Sequence, residues 1–209
     1  MQTTYFEITD IYFKYRKAQD YILNGLSFSF SGNSIIGIYG DNGTGKTTFL
    51  NCISGVYKIE KGEITLNGKN IEKNRNNIFF IPNESILFPY LTLYDNIIFF
   101  MDYFGKSLDK NRFEHFIDRY NLKQQINTYA AQASSGMLKK TLIIIALLFE
   151  PQIFIADELF NGLDEKAKSS IIDDIKRYVA DNDSIAILSV HNNMFLQSIS
   201  TEIIDFNTF

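Results

Sequence analysis

Polar and apolar residues alternate along Leu26-Ser27-Phe28-Ser29-Phe30. This is the period-two pattern of a strand with one buried face. Gly62-Glu63-Ile64-Thr65-Leu66 runs into Asn67-Gly68, a dipeptide that closes hairpins because both residues accept a positive φ. The first third of the chain therefore reads as strands. Residues 35–39, 153–156 and 185–190 are continuous apolar runs rich in isoleucine. Such runs predict strands covered on both faces, as in a parallel sheet. Helical periods separate them. Thr92 with Asp95 makes a capping box for a helix through Phe104. Residues 109–120 and 135–149 read as two more helices. Residues 164–180 are amphipathic, with Ile171, Ile172, Ile175 and Val179 on one face. A last strand covers 202–206, and 69–77, full of Asn and Lys, reads as loop. No repeat or linker composition is visible. The pattern predicts an α/β core interrupted between about Asn83 and Lys140 by a mostly helical insert.

Composition narrows the function classes. The 209 residues are 45% hydrophobic and 21% charged, which suffices for a full core and excludes wholesale disorder. The net charge of −4 argues against nucleic acid as the main partner. Cys52 is the single cysteine, so no internal disulfide forms; it reads as a small core residue in a reducing compartment. The longest apolar run, 142–149, falls far short of the roughly 20 residues of a membrane span. The first residues lack a basic region followed by an apolar one, so a cytosolic protein is expected.

The chemistry begins at Gly40-Asp41-Asn42-Gly43-Thr44-Gly45-Lys46-Thr47, which matches G-x-x-x-x-G-K-[ST] between an apolar strand and a helix-like stretch. In such a loop the glycines let backbone N–H groups point inward at phosphate oxygens. The helix start adds positive potential. Lys46 reaches the β- and γ-phosphates, and the Thr47 hydroxyl ligates Mg²⁺. The second motif is Ile153-Phe154-Ile155-Ala156-Asp157-Glu158. An acid ending an apolar strand stands at the sheet's carboxyl edge, where ligands of such sheets bind. Asp157 is placed to hold Mg²⁺ through water, and Glu158 to deprotonate an attacking water.

These motifs, in this order, resemble the nucleotide-binding domain of ATP-binding cassette (ABC) proteins. Ala133-Ser134-Ser135-Gly136-Met137 sits where that family carries its LSGGQ signature. Asn161-Gly162-Leu163-Asp164 resembles the D-loop, and His191 stands at the switch histidine. Tyr15 falls where an aromatic stacks on adenine, its plain alternative being to pack a strand. Ile81-Pro82-Asn83 resembles the Q-loop. The resemblance implies a P-loop NTPase: a mostly parallel central sheet, an N-terminal antiparallel β subdomain and an inserted α-helical subdomain. Residues 1–209 then form one domain, with 1–82 and 141–209 as the ATP-binding core with its β subdomain, and 83–140 as Q-loop and helical subdomain. It further implies catalytic roles for Glu158 and His191. ATP contacts come from Tyr15, Asn42, Gly43, Gly45, Lys46, Thr47 and Thr48. Mg²⁺ contacts come from Thr47, Asn83 and Asp157. Ser134, Ser135, Gly136 and Asp164 face the nucleotide held by the other subunit of a head-to-tail dimer.

This sequence departs from the family at Asn83 for Gln, Ser135 for Gly, Met137 for Gln, Ala133 for Leu and Leu159 for Pro. The Asn83 amide reaches about 1.5 Å less far, so its Mg²⁺ contact becomes water-mediated. None of these changes removes a group that binds phosphate. Among kinds of ABC protein, repair ATPases need a long coiled coil, translation factors need two cassettes, and non-hydrolysing regulators lack the acid or lysine retained here. What is implied is the ATPase subunit of an exporter-like transporter, held at the cytoplasmic face of the membrane by a membrane-spanning subunit on another chain. A second copy of the chain completes the dimer. The alternative is a soluble ABC ATPase outside transport. The aromatics Phe99, Phe100, Tyr103 and Phe104 are expected mostly in the core, while Phe88 and Tyr90 around Pro89 are candidates for partner docking.

Overall fold

The computed structural model describes residues 3–190 and 193–209. The chain opens with β1 (Tyr5–Phe13), β2 (Leu23–Ser31) and β3 (Ser34–Tyr39), then α1 (Lys46–Ile53). Next come β4 (Lys61–Leu66), β5 (Lys69–Asn70) and β6 (Ile78–Ile81). Three helices follow: α2 (Leu93–Tyr103), α3 (Lys110–Arg119) and α4 (Ser135–Phe149). The chain then alternates through β7 (Ile153–Ala156), α5 (Glu165–Asn182), β8 (Ile185–Ser189), α6 (Asn193–Ile199) and β9 (Glu202–Asp205). The stretch 69–77, expected as loop, holds β5 and two short 3₁₀ turns.

Two sheets result. One is antiparallel with strand order β2-β1-β4-β5, and the other has order β6-β7-β8-β3-β9. Every pairing in the second sheet is parallel. Its side chains divide by period two between two cores. Ile36, Ile38, Ile153, Ile155, Ile185 and Ile187 pack with the antiparallel sheet and α1. Ile35, Phe154, Ala156, Ala186 and Leu188 pack with the helices that follow β6. Burial on both faces is why these strands are continuously apolar. Cys52 is buried in the first core, and burial pushes its thiol pKa up to about 12.

Local signals set the helix starts. Thr92 accepts the Asp95 N–H and donates its hydroxyl to the Asp95 carboxylate, so the reciprocal contact runs to the hydroxyl rather than to the backbone. Asp109, Ser134 and Asp164 cap α3, α4 and α5. Helix α4 is apolar on nearly every side and lies in the middle of the second core. One expectation is corrected here. Phe100 and Phe104 pack against the core, but Phe99 and Tyr103 are exposed. At 100° per residue, a helix lying on a core turns positions 99 and 103 outward together.

Candidate active site

Loop 40–45 joins β3 to α1, and its three glycines all take positive φ, at 149°, 88° and 97°. Only glycine adopts such angles without strain, so the composition of the loop is a backbone requirement. Lys46 is buried at the first position of α1, and its ammonium donates to the Gly40 and Asp41 carbonyls at 2.7 Å each. The Asp41 N–H is tied to the Asn207 side chain at 2.9 Å, which anchors the loop to the end of the described chain.

Asp157 follows β7 directly and is 2% exposed. Its N–H donates to Ile81 O, continuing the β6–β7 ladder. One carboxylate oxygen accepts the Thr47 hydroxyl at 2.7 Å and the other accepts the Ser189 hydroxyl. Ser189 also accepts the Glu158 N–H at 2.9 Å. Glu158 takes φ 49°, its carboxylate accepts the Asn161 amide at 2.7 Å, and its carbonyl accepts the Lys139 ammonium. Burial pushes Lys139 down from the usual lysine range, against the opposing pull of Glu158 and Asp157.

A cavity of about 280 Å³ opens over this constellation. Asn42, Gly43, Gly45, Lys46, Thr47 and Thr48 form one wall, with Tyr15, Ile22 and Glu158 around it. Tyr15 is half exposed, its hydroxyl 3.0 Å from that of Thr48. Its ring stands edge-on to Phe13 and Tyr57. Thr47 and Asp157 present hard oxygen donors side by side, a set that suits Mg²⁺. Among the described residues no group of three or more His, Cys, Asp or Glu could hold a metal. A magnesium ion here would therefore depend on this pair and on substrate phosphates. A larger cavity of about 540 Å³ lies between α3, the end of α4 and α5. Several of its charged side chains are already paired, Arg112 with Glu150, and Asp174 with Arg119.

The other expected residues lie away from the cavity lining. Asn83 is exposed, two residues beyond β6. Ser134 is exposed at the N-cap of α4, its hydroxyl accepting the Met137 N–H at 3.2 Å. Ser135 is exposed and Gly136 buried. A Cβ on Gly136 would lie 2.7 Å from the Gly162 carbonyl oxygen. Asp164 caps α5 and pairs with Lys140 at 3.7 Å. The Ala167 N–H, and then Lys140, hold its carboxyl below the usual range. His191 lies outside the described residues. Ser189, the Asn161 contact with Glu158 and the contact made by Lys139 were not read from sequence; a serine inside the otherwise apolar run of β8 was the available signal for the first.

A glycine loop between a parallel strand and a helix, with an acid on the adjacent strand bonded to its threonine, defines a P-loop nucleotide-hydrolase domain. The ABC transporter family matches residues 23–161, and the chain belongs to it, carrying its ATP-binding ATPase domain. The ABC-type transporter ATP-binding protein EcsA of Bacillus subtilis (strain 168) is 31% identical over 158 residues, 73% of this chain and 64% of EcsA. The SkfA peptide export ATP-binding protein SkfE of the same organism is 30% identical over 178 residues, 82% of this chain and 73% of SkfE. The chain thus spans less than two thirds of EcsA. The solved structure of an ATP-binding subunit of an ABC transporter shares the fold, with TM-score 0.86 and 24% identity over 96% of this chain and 85% of that one.

Proposed function

We propose that this chain is the ATP-hydrolysing subunit of an ABC exporter. It works as a pair of copies beneath a membrane-spanning subunit on another chain, at the cytoplasmic face of the membrane. The observation that carries this reading is the cavity bounded by the glycine loop, Lys46, Thr47 and Glu158, with Asp157 bonded to Thr47. A peptide export function is named for the relative SkfE, and it supports the outward direction. No helix among the described residues is long and apolar enough to cross a membrane.

In this reading the loop N–H groups and Lys46 take the β- and γ-phosphates, Lys46 exchanging its two carbonyl partners for phosphate oxygens. The Tyr15 ring stacks on adenine. Thr47 and Asp157, with Asn83 acting through water, would hold a Mg²⁺ ion, which would supply positive charge against that of the phosphates. Glu158 accepts a proton from the water that attacks the γ-phosphorus, the bond to the ADP oxygen breaks, and ADP and phosphate leave. His191 orients the γ-phosphate. Ser134, Ser135 and Gly136, at the start of α4 and outside the cavity lining, offer their N–H groups to the γ-phosphate of ATP bound to the second copy. Asp164 joins that contact from the adjacent loop.

Steady-state turnover tests the site. Glu158→Gln keeps the shape of the side chain and removes the base. Turnover should fall by about a hundredfold or more, with ATP still bound. Unchanged turnover would remove Glu158 from the mechanism.

A further inference from the structure

Lysine is rarely buried without a partner, because its ammonium must be desolvated. Lys139 is 7% exposed, in the second turn of α4. Its ammonium is spent on one main-chain oxygen, that of Glu158. The residue it grips is unusual in its own backbone. Glu158 sits at φ 49°, in the left-handed region where a Cβ crowds the chain. Such a conformation persists where the surroundings over-determine it. Here both peptide groups of Glu158 are held. The N–H goes to the Ser189 hydroxyl at 2.9 Å, and the carbonyl takes the lysine and, at 3.3 Å, the Asn161 N–H.

The neighbouring contacts bind the same two pieces of chain. Lys140, next along α4, pairs with Asp164. Gly136 packs so closely on the Gly162 carbonyl that a methyl group would not fit. Helix α4 and the segment 158–164 are therefore joined at three points, and Lys139 is the link at Glu158.

We propose that Lys139 is a positioning residue for Glu158: it holds the strained backbone that aims the carboxylate at the attacking water. The proposal rests on Glu158 acting as the base. Lys139 does not line the cavity, so its loss misplaces the base and leaves ATP binding intact.

The test is steady-state ATP turnover together with equilibrium ATP binding, on the full chain carrying Lys139→Met or Lys139→Gln. The methionine keeps the apolar stem and removes the donor; the glutamine keeps an amide that stops short of the carbonyl. In both, kcat should fall by about tenfold to a hundredfold, the scale of a misplaced catalytic group. KM and the ATP dissociation constant should stay within about threefold of wild type. Lys139→Arg, with a long cationic donor, should restore most of kcat. Added to Glu158→Gln, Lys139→Met should cost no further turnover, because the two residues act as one unit. Wild-type kcat in both donor-deleted variants, with turnover lost in Glu158→Gln, overturns the positioning role alone. Wild-type turnover in Glu158→Gln overturns the base assignment and this proposal with it. A kcat loss matched by an equal loss of ATP binding shows a structural role and also overturns it.

Discussion

Gly136 shows how one residue joins packing to chemistry. An alanine in a helix is worth up to about 1 kcal/mol over glycine, so Gly136→Ala ought to stabilise α4. The new methyl group would lie 2.7 Å from the Gly162 oxygen, a backbone atom that cannot swing aside. Relief requires α4 and the segment 158–164 to separate, which costs on the order of 1–3 kcal/mol as overpacking does. The clash outweighs the propensity gain. Gly136→Ala should therefore lower the denaturant midpoint and reduce ATP turnover together. A midpoint above wild type with full turnover would show that the close packing is dispensable. The same geometry gives Ser135 a structural part beside its place in the signature: its hydroxyl fills the space where a Cβ on Gly162 would fall.

At the scale of elements, loop 88–92 is fixed from behind by Asn96, which is fully buried on α2. Its carbonyl accepts the Phe88 N–H at 2.7 Å, and its amide donates to the carbonyls of Phe88, Leu91 and Thr92. With the backbone held inward, the side chains of the loop face out. Tyr90 is 87% exposed and Phe88 44%. On the same surface Phe99 packs against Phe88 with ring centroids 4.6 Å apart, and Tyr103 is exposed beside Phe99. Exposed aromatics in one patch mark an interaction site, and in the proposed function its occupant is the membrane-spanning partner. Phe88→Ser with Tyr90→Ser should leave basal ATPase and stability near wild type and abolish co-purification with that subunit. Unfolding of the double variant would return both residues to the core, and normal co-purification would move docking elsewhere.

The elements differ in how far they could be read from sequence. The glycine loop, the cap at Thr92 and the three apolar strands are local codes, so pattern alone located them. Strand β6 was not separated, because four residues between an Asn-rich stretch and Pro82 carry too little periodicity. The outward turn of Phe99 and Tyr103 depends on which face of α2 meets the core. The grip of Lys139 on Glu158 spans 19 residues and a helix-to-loop contact, and the roles of Ser189 and Asn161 depend on where β8 and the segment after β7 come together. Such contacts are properties of the packed chain, so residue type and spacing do not reveal them.

At the scale of the whole molecule, one chain presents two separate half-sites. The cavity carries the glycine loop, Lys46, Thr47 and Glu158, while Ser134 is exposed at the start of α4 and does not line that cavity. In the proposed function, nucleotide in the cavity is covered by the α4 start of a second copy, in a closed two-fold pair that brings both half-sites into one interface. Sedimentation of the Glu158→Gln chain with and without Mg-ATP tests this most directly, since ATP stays uncleaved in that background. With ATP the 24.1 kDa chain should sediment at twice its mass, and without ATP as a monomer. Adding Ser134→Arg should leave ATP bound but return the protein to monomer. A Glu158→Gln chain that binds ATP and stays monomeric, or one whose dimer persists with Ser134→Arg, would contradict the shared site.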